Sequence, residues 1–392
     1  MTDTPRQVGG RIAARRHARR MTQADLSRAS FVSLSMIRGI ERGVRSPSDK
    51  TLDSLAAALD VDPSRLVNGN SRTSGRVHSA LPHISAAIAG YDVPDVPAPR
   101  SLPELSSAVN DALTWRLNAQ YSRLAVQAPA LLGDALRALH TATGHRRKEA
   151  AQLLASAARA ADAVAYKFGA YDLSARLVEL MRWACTRAGD PLLNATTAYV
   201  RTETFLAARS YATGLRALEA AIDAAPSPKE PRSIAARGAL HMRAAVVAGR
   251  AGDETAADTH LAEAEPLAAL VPEGIYNGTA FGPSSLRIHQ VSVAVSLGTA
   301  RVSWALDVAR EWKPPRDLPS ERRSSFYIEL ARAQVWAGLM DDAFESLKVA
   351  RRAAPQHTRE HPWAREDTAT LRRLKRADAE ELTAFAEWIG AV

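Results

Sequence analysis

Cysteine and long apolar runs are scarce in this chain of 392 residues, and each absence excludes a class of protein. Cys185 is the single cysteine, so an intrachain disulfide cannot form, and its apolar neighbours predict a buried thiol rather than a nucleophile. No segment approaches the roughly 18 apolar residues of a membrane helix. Six arginines interrupt the first apolar run before Met21, so we expect no signal peptide. These features predict a cytoplasmic protein that makes no membrane contact.

Motifs for catalysis or cofactor binding are equally scarce. The chain has no Gly-rich phosphate loop, no G-x-S-x-G sequence and no signature of paired carboxylates. His357, Glu360 and His361 fit H-x-x-E-H, a spacing that places two zinc ligands on one helix face. Pro355 and Pro362 bracket this run, and no motif marks a third ligand. We interpret the run as chance and expect neither an enzyme nor a metal or other cofactor; a zinc-dependent hydrolase is the alternative.

Positive charge is concentrated near the start of the chain. The net charge is +9, and residues 1–72 contain thirteen basic residues against seven acidic ones, which is +6 in the first fifth of the chain. Clustered Lys and Arg indicate a surface for phosphate groups. After a flexible arm over residues 1–7, a first helix is predicted over residues 8–19. Its Arg11, Arg15 and Arg19 form an outward stripe, which we interpret as phosphate contacts rather than a solvated face.

Two short helices joined by a tight turn are predicted between Thr22 and Gly43. Thr22 and Ser33 have side-chain oxygens that cap helix starts, and residues 30–32 have the length of a turn. Ile37 and Ile40 face inward in the second helix. Such a pair suits the DNA major groove, because the second helix can enter the groove while the first crosses the backbone.

The segment from about residue 6 to residue 67 resembles the XRE-type helix-turn-helix domain of phage repressors and Cro. Ser48 caps a predicted fourth helix, and Asp62 with Pro63 begins a predicted fifth. Phe31 departs from the pattern, because the family usually has Gly at this turn position. A bulky residue disfavours a positive φ, so we expect the turn to relax or Phe31 to pack. The matching residues are Thr22, Gln23, Leu26, Val32, Ser33, Ile37, residues 40–43, Pro47, Ser48, Leu52, Leu55, Ala56 and Leu59.

The resemblance implies a set of DNA-binding residues. Leu34, Ser35 and Gly39 match positions that contact base edges. Arg16 matches a position whose arginine pairs with the glutamate at Glu41. The implied set lacks an Asn or Gln facing adenine, so we expect affinity to be mainly electrostatic and specificity to depend on DNA shape. The full set is Ser33, Leu34, Ser35, Met36, Arg38 and Gly39 near the bases, with Gln23, Arg42 and Arg45 near the phosphates.

The rest of the chain divides into a linker and a repetitive body. Residues 69–101 are rich in Asn, Gly and Ser and then in Pro, which is typical of a linker, with room for a short helix over residues 84–89. From residue 102 the sequence is Ala-rich and helical, without strand-like alternation. Turns recur near residues 169, 210, 252, 298 and 338, and the paired helices around them resemble tetratricopeptide (TPR) repeats of longer period.

We therefore predict an all-α protein with a five-helix helix-turn-helix domain at residues 1–68, a linker at 69–101 and an α-solenoid of TPR-like helical hairpins at 102–392. An apolar stripe in residues 361–392 either caps the end of the solenoid or forms a dimer surface. Its members are Leu371, Leu374, Leu382, Phe385, Trp388 and Ile389.

The order of the domains resembles bacterial regulators in which an XRE-type head is fused to TPR-like repeats that bind a signalling peptide. We interpret the chain as a bacterial transcriptional regulator that binds double-stranded DNA as a homodimer and senses a small molecule or peptide. The alternative is a DNA-bound scaffold that recruits a protein partner without a small ligand. Polar residues along the concave wall of the body suit an anionic ligand: Asn194, Tyr199, Arg201, Arg237, His241, Arg287, Gln290 and Arg332.

Overall fold

The computed structural model describes residues 5–61, 66, 73–93, 100–374 and 379–391. The chain forms two compact units, one from residues 1–79 together with 323–392 and the other from residues 80–322. Our predicted division places residues 102–392 in one domain, whereas the contacts associate residues 323–392 with the N-terminal segment. The predicted boundaries at residues 68 and 101 stay a prediction.

The described residues are mainly helical, in agreement with the predicted architecture of a helix-turn-helix head followed by helical hairpins. Their regular elements, in chain order, are α1 (Pro5–Ala18), α2 (Gln23–Ser30), α3 (Leu34–Glu41), α4 (Asp49–Ala58), α5 (Thr73–Ala87), α6 (Leu102–Leu117), α7 (Tyr121–Thr141), α8 (Gly144–Lys167), α9 (Tyr171–Ala188), α10 (Pro191–Ala207), α11 (Tyr211–Ala224), α12 (Pro231–Ala251), α13 (Glu254–Ala269), β1 (Gly274–Tyr276), β2 (Thr279–Phe281), α14 (Pro283–Leu297), a 3-10 turn (Thr299–Arg301), α15 (Val302–Glu311), α16 (Ser320–Trp336), α17 (Met340–Ala353), α18 (Pro355–Glu360), α19 (Pro362–Leu374) and α20 (Ala379–Ile389).

The head, which we define as helices α1 to α4, folds around one apolar core. Leu26 of α2, Ile37 and Ile40 of α3 and Leu55 of α4 are all fully buried in it. Helix α1 begins at Pro5, so residues 5–7 are helical and not part of a flexible arm. The predicted fifth helix lies outside the described residues, except for position 66, which is buried.

The C-terminal helices α17 to α20 form a second apolar core in the same unit. Leu371, Leu382, Phe385 and Trp388 pack with buried residues of α16 and α17. This arrangement supports the interpretation of the apolar stripe as a cap on the preceding helices, because those faces are already covered within the chain. Leu374 is the exception, since its side chain is 59% exposed.

A buried arginine joins the head to these C-terminal helices within the first unit. Arg351 of α17 donates to the carbonyl oxygen of Ala57 at 2.9 Å and pairs with the carboxylate of Asp60. Both charged side chains are largely buried, 10% and 13% exposed. Gln356 of α18 lies 3.5 Å from the carboxylate of Asp53 in α4. The last helices of the chain therefore support the back of the head.

The second unit consists mainly of antiparallel helical hairpins with an alanine-rich core. In α8 alone, Ala151, Ala155, Ala158 and Ala161 are fully buried, and such small side chains let neighbouring helices approach closely. The predicted turns near residues 169, 210 and 252 are present at the ends of α8, α10 and α12. Helix α5, Thr73–Ala87, occupies part of the predicted linker and is much longer than the short helix expected there.

A short β-hairpin interrupts this helical unit and corrects the expectation of a body without strands. Gly274–Tyr276 pairs antiparallel with Thr279–Phe281. The turn residues Asn277 and Gly278 have φ values of 50° and 73°, and two consecutive positive φ angles are typical of a type I′ hairpin turn. Asn-Gly between strand-forming residues is the sequence signal that could have revealed this hairpin.

Candidate functional site

The helix-turn-helix geometry of the head follows from two side-chain caps. The hydroxyl of Thr22 accepts from the backbone N–H of Asp25, and the Asp25 carboxylate accepts from the N–H of Thr22 in return. The Thr22 hydroxyl also donates to the Asp25 carboxylate at 2.6 Å, and this bond together with the one from the Thr22 N–H lowers the pKa of Asp25 to about 2. Ser33 caps α3 by accepting from the N–H of Met36 at 3.3 Å. Both predicted caps are confirmed, and together they fix where each helix begins.

A buried ion pair holds α1 against α3. Arg16 Nε donates to Glu41 Oε1 at 2.7 Å and Arg16 Nη2 donates to Glu41 Oε2 at 2.9 Å, with both side chains 7% exposed. Arg16 also donates to the carbonyl oxygen of Met21 at 2.9 Å. Burial opposes ionisation of Glu41, but hydrogen bonds from Arg16 and Gln23 outweigh it and lower the pKa of Glu41. The predicted pairing of Arg16 with Glu41 is confirmed.

The turn between α2 and α3 contradicts our expectation for Phe31. Phe31 has φ 56° and ψ 22°, which is the left-handed conformation that the family pattern assigns to Gly. Its side chain is 71% exposed, so the residue has neither relaxed nor packed into the core. The caps at Thr22 and Ser33 and the core contacts of Ile37 impose the turn. The left-handed backbone at Phe31 therefore lowers the stability of the head by roughly 1–2 kcal/mol.

The outer face of α3 carries most of the predicted base-contacting residues. Ser33, Ser35 and Arg38 are exposed, while Leu34 and Met36 are half-buried at the edge of this face. Gly39 is buried, and a Cβ built on it would lie 3.0 Å from the side chain of Arg45. Arg45 therefore covers Gly39, and a base contact at this position stays a prediction.

Three of the predicted phosphate contacts already have partners inside the head. Gln23 donates to the Glu41 carboxylate at 2.7 Å, which ties its amide to the ion pair. Arg42 Nε donates to the carbonyl oxygen of Arg38 at 3.1 Å and so gives a hydrogen bond to a carbonyl group in the last turn of α3. The guanidinium of Arg45 lies 4.0 Å from the sulfur of Met36. Contact of these three side chains with phosphate stays a prediction.

An open groove beside α3 is lined by several basic side chains. It lies between the end of α1, the start of α2 and α3, and its lining includes Arg16, His17, Arg20 and Arg38. A backbone phosphate is the kind of group that such a surface attracts. In the stripe of α1, Arg15 is exposed, whereas Arg11 donates to the carbonyl oxygen of Leu66 and Arg19 lies 3.7 Å from Asp60.

Four of the eight residues predicted for the ligand wall make polar contacts within the chain. The Tyr199 hydroxyl accepts from Arg322 at 3.0 Å, and the two Nδ1 atoms of His241 and His260 are 3.2 Å apart. Arg237 donates to the carbonyl oxygen of Ala225 at 3.3 Å. The buried Arg332 pairs with Glu366 and Asp367 and belongs to the other compact unit. A role of these four residues in ligand binding stays a prediction.

The remaining predicted ligand residues have different surroundings. Asn194 and Arg287 are exposed, and the buried Gln290 Oε1 has no hydrogen-bond partner among the residues that the structure describes. Arg201 lies 5.1 Å above the ring of Phe205 and lines a cavity of about 420 Å³, whose lining includes Trp183 and Tyr91. A ligand-binding role for these four residues stays a prediction.

Three arginines that the sequence analysis missed surround the hairpin turn. Arg159 donates to the carbonyl oxygen of Asn277 at 2.9 Å and to the Thr279 hydroxyl at 2.7 Å. Arg116 donates to the carbonyl oxygen of Gly278, and Arg232 donates to the Asn277 side chain at 2.9 Å. They come from α6, α8 and α12, and no local sequence signal indicates that they converge.

The H-x-x-E-H run forms internal contacts. His357 is buried, and its Nδ1 lies 3.1 Å from the Ser324 hydroxyl, while Glu360 pairs with Arg365. Among the residues that the structure describes, no group of three His, Cys, Asp or Glu side chains is placed to hold a metal ion. In the same described ranges, no helix is long and apolar enough to span a membrane.

Comparison with known proteins agrees with this geometry. Residues 12–66 match the helix-turn-helix family, which spans the caps, the turn and the core of the head. These residues form a DNA-binding helix-turn-helix domain, which supports a role in transcription regulation. No curated protein matches the chain significantly.

Among solved structures, the chain is similar to PlcR of Bacillus thuringiensis, whose crystal structure is a complex with the peptide PapR7 and DNA. The two sequences are 14% identical over 67% of this chain and 94% of PlcR, with a TM-score of 0.28. A TM-score this low does not establish a common arrangement of the domains.

Proposed function

We propose that the protein is a cytoplasmic bacterial transcriptional regulator that binds double-stranded DNA as a homodimer and senses a small molecule or peptide through its helical body. The observation that carries the proposal is the position of α3. Its inner face, with Ile37 and Ile40, is buried in the head, and its outer face presents Ser35 and Arg38 beside a basic groove. An exposed helix with this support can enter the major groove.

The proposal separates affinity from specificity. Arg20 and Arg38 supply positive charge at the groove, so much of the binding energy should come from phosphates and released counterions. Arg38 can also donate two hydrogen bonds to guanine, while Leu34 and Met36 can contact thymine methyl groups. Such a small set of contacts reads few base pairs, and a second head on an adjacent half-site would extend the recognised sequence.

DNA binding is tested with the full chain and a duplex selected from genomic fragments. Log affinity should fall linearly with log salt, by about 0.9 per phosphate neutralised. Arg38→Gln should weaken binding to the selected duplex by about 1–3 kcal/mol. Arg310→Gln, at an exposed arginine in α15, is the matched control and should bind like the parent protein. Binding that ignores salt, or equal loss in both variants, would contradict the assignment of α3.

Native mass spectrometry of the purified protein tests the homodimer and the ligand together. A mass of two chains supports the dimer, and an additional small mass identifies a co-purified ligand. If no ligand changes DNA affinity and a protein partner co-purifies instead, the body is a recruiting scaffold. Stoichiometric zinc that disappears in a His357→Ala variant would favour the hydrolase alternative over our proposal that the chain is not an enzyme.

A further inference from the structure

The turn of the β-hairpin is held by guanidinium groups rather than by neutral donors. Arg116, Arg159 and Arg232 direct their N–H groups to acceptor atoms of residues 277–279. Gly278 makes this convergence feasible, because a Cβ at that position would lie 2.9 Å from Arg159 Nη1. Three cations thus surround one small turn whose acceptors carry no formal charge.

The described lining of this site contains little negative charge, while Glu203 and Glu321, which are not part of the lining, interact electrostatically with Arg116, and Glu203 also interacts with Arg159. The same three arginines line a cavity of about 300 Å³, and Asp190 is the carboxylate among its described lining residues. One oxygen of Asp190 accepts from the N–H of Leu192 and the other from Gln152, so both are engaged at the start of α10. Burial lowers the pKa of Arg159 to about 9 and also lowers the pKa of Arg116. An anion entering the cavity would meet three guanidinium groups and one carboxylate whose oxygens already accept hydrogen bonds.

The remaining walls of the cavity indicate which kind of anion fits. Val109, Leu113, Met181 and Leu193 supply apolar surface in the same cavity lining. A cavity of this size holds a small ligand, and a few placed polar groups usually orient an otherwise apolar molecule. A carboxylate attached to a short apolar body matches both features, and either a fatty acid or the C-terminal end of a peptide has this chemistry.

We propose that Arg116, Arg159 and Arg232 form the ligand site of the sensor body, where the carboxylate of a small apolar acid or peptide end replaces the acceptors of the hairpin turn. The inference rests on the proposed sensor function. Hydrogen bonds between guanidinium and carboxylate are charge-assisted and stronger than those to a carbonyl group. The competing hairpin has three residues in each strand, and so small a sheet depends on its surroundings for stability.

Displacement of the turn would be transmitted to the helices behind it. Phe281 of β2 is fully buried against α12, where a Cβ on Gly238 would lie 2.1 Å from its ring. The carboxylate of Glu273, which precedes β1, accepts from the N–H and the hydroxyl of Ser285 at the start of α14. A ligand that binds better when the hairpin has moved would therefore shift the arrangement of α12 and α14.

Calorimetric titration of the full chain with paired probes tests this site. Octanoate and acetyl-Ala-Ala-Leu carry the carboxylate, and octanamide and the peptide amide are their neutral partners. We expect the carboxylates to bind at least about tenfold more tightly than the amides, because the amides lose the charge-assisted bonds. Whichever carboxylate binds more tightly identifies the source. Equal binding of acid and amide, or no binding by any probe at about 1 mM, would overturn the proposal.

Three variants distinguish a ligand-binding role of these arginines from a purely structural role in holding the hairpin turn. Arg232→Gln, at an exposed position that should not affect folding, should weaken carboxylate binding about tenfold. Thr279→Val removes an acceptor of Arg159 and should strengthen binding, since the competing hairpin is weakened. Arg182→Gln, at an exposed arginine of α9, is the matched control. Unchanged affinity in the first two variants would refute the site. DNA affinity measured on the same samples shows independently whether the regulator function itself fails.

Discussion

Removal of Arg16 is the most direct perturbation of the DNA-binding head. Arg16→Ala leaves the Glu41 carboxylate buried without its two strongest donors, and it also removes the donor to the carbonyl oxygen of Met21. Breaking a buried pair from one side costs about 3–5 kcal/mol. Gln23 keeps its 2.7 Å bond to Glu41 and limits the loss, so we expect a value near the lower end, about 3 kcal/mol.

Hydrogen exchange on the full chain measures this effect locally. A loss of about 3 kcal/mol should accelerate exchange of the protected amides of α3 roughly a hundredfold, because each 1.4 kcal/mol is about a factor of ten. Arg15→Ala, one residue earlier and exposed, is the matched control and should have little effect. Equal acceleration in the two variants would refute the assignment of the ion pair to the stability of the head.

The same pair gives the head a defined dependence on pH. The folded-state pKa of Glu41 is lowered, so its contribution to the free energy of unfolding is complete above the unfolded pKa of about 4.3. This contribution is lost as the pH falls through the lower folded pKa. The difference in α3 protection between the parent protein and Arg16→Ala should therefore be full at neutral pH and shrink below about pH 4. A difference that grows on acidification would show that the sign is wrong.

Two further substitutions follow from the structure. Phe31→Gly should raise the free energy of unfolding of the head by about 0.5–1 kcal/mol, because relief of the left-handed strain exceeds the entropy that Gly adds to the unfolded chain. Phe31→Ala keeps the strain and is the control. If Phe31→Ala raised the thermal melting temperature as much as Phe31→Gly, this explanation would be disproved. Arg351→Ala leaves the largely buried Asp60 with only the 3.7 Å contact to the exposed Arg19 and removes one donor from the Ala57 carbonyl, so exchange at the end of α4 should accelerate about tenfold or more. The exposed neighbour substitution Arg352→Ala is the control, and equal rates in both variants would argue against a contact between the head and the C-terminal helices.

Several features of the head were predictable because their physical cause is local in sequence. Thr22 and Ser33 cap helices through bonds to amides three residues away. Ile37 and Ile40 reach the core because an α-helix returns to the same face after three or four residues. The pairing of Arg16 with Glu41 came from the resemblance to a known family, which supplied a contact across 25 residues that the local pattern does not reveal. The residues proposed to contact DNA or ligand stay predictions.

The hairpin and Phe31 show where local analysis was insufficient. Asn277 and Gly278 carry a hairpin signal, but three-residue strands within an alanine-rich helical sequence give too little alternation to be recognised. Phe31 has an unfavourable local conformation, and only the surrounding caps and core, which over-determine the turn, keep it there. In both cases, the packing of neighbouring elements outweighed the preference of the residues themselves.

By itself, the sequence determined the kinds of element and the character of the head, since helix caps, apolar periodicity and charge act within a few residues. Only the tertiary structure decided which distant side chains meet. It brought Arg116, Arg159 and Arg232 from three helices to one turn, and it placed Arg351 against Asp60 across 291 residues of chain. The physical reason is that an arginine's partner depends on where whole helices pack, and packing is set by the complementary shapes of many side chains together.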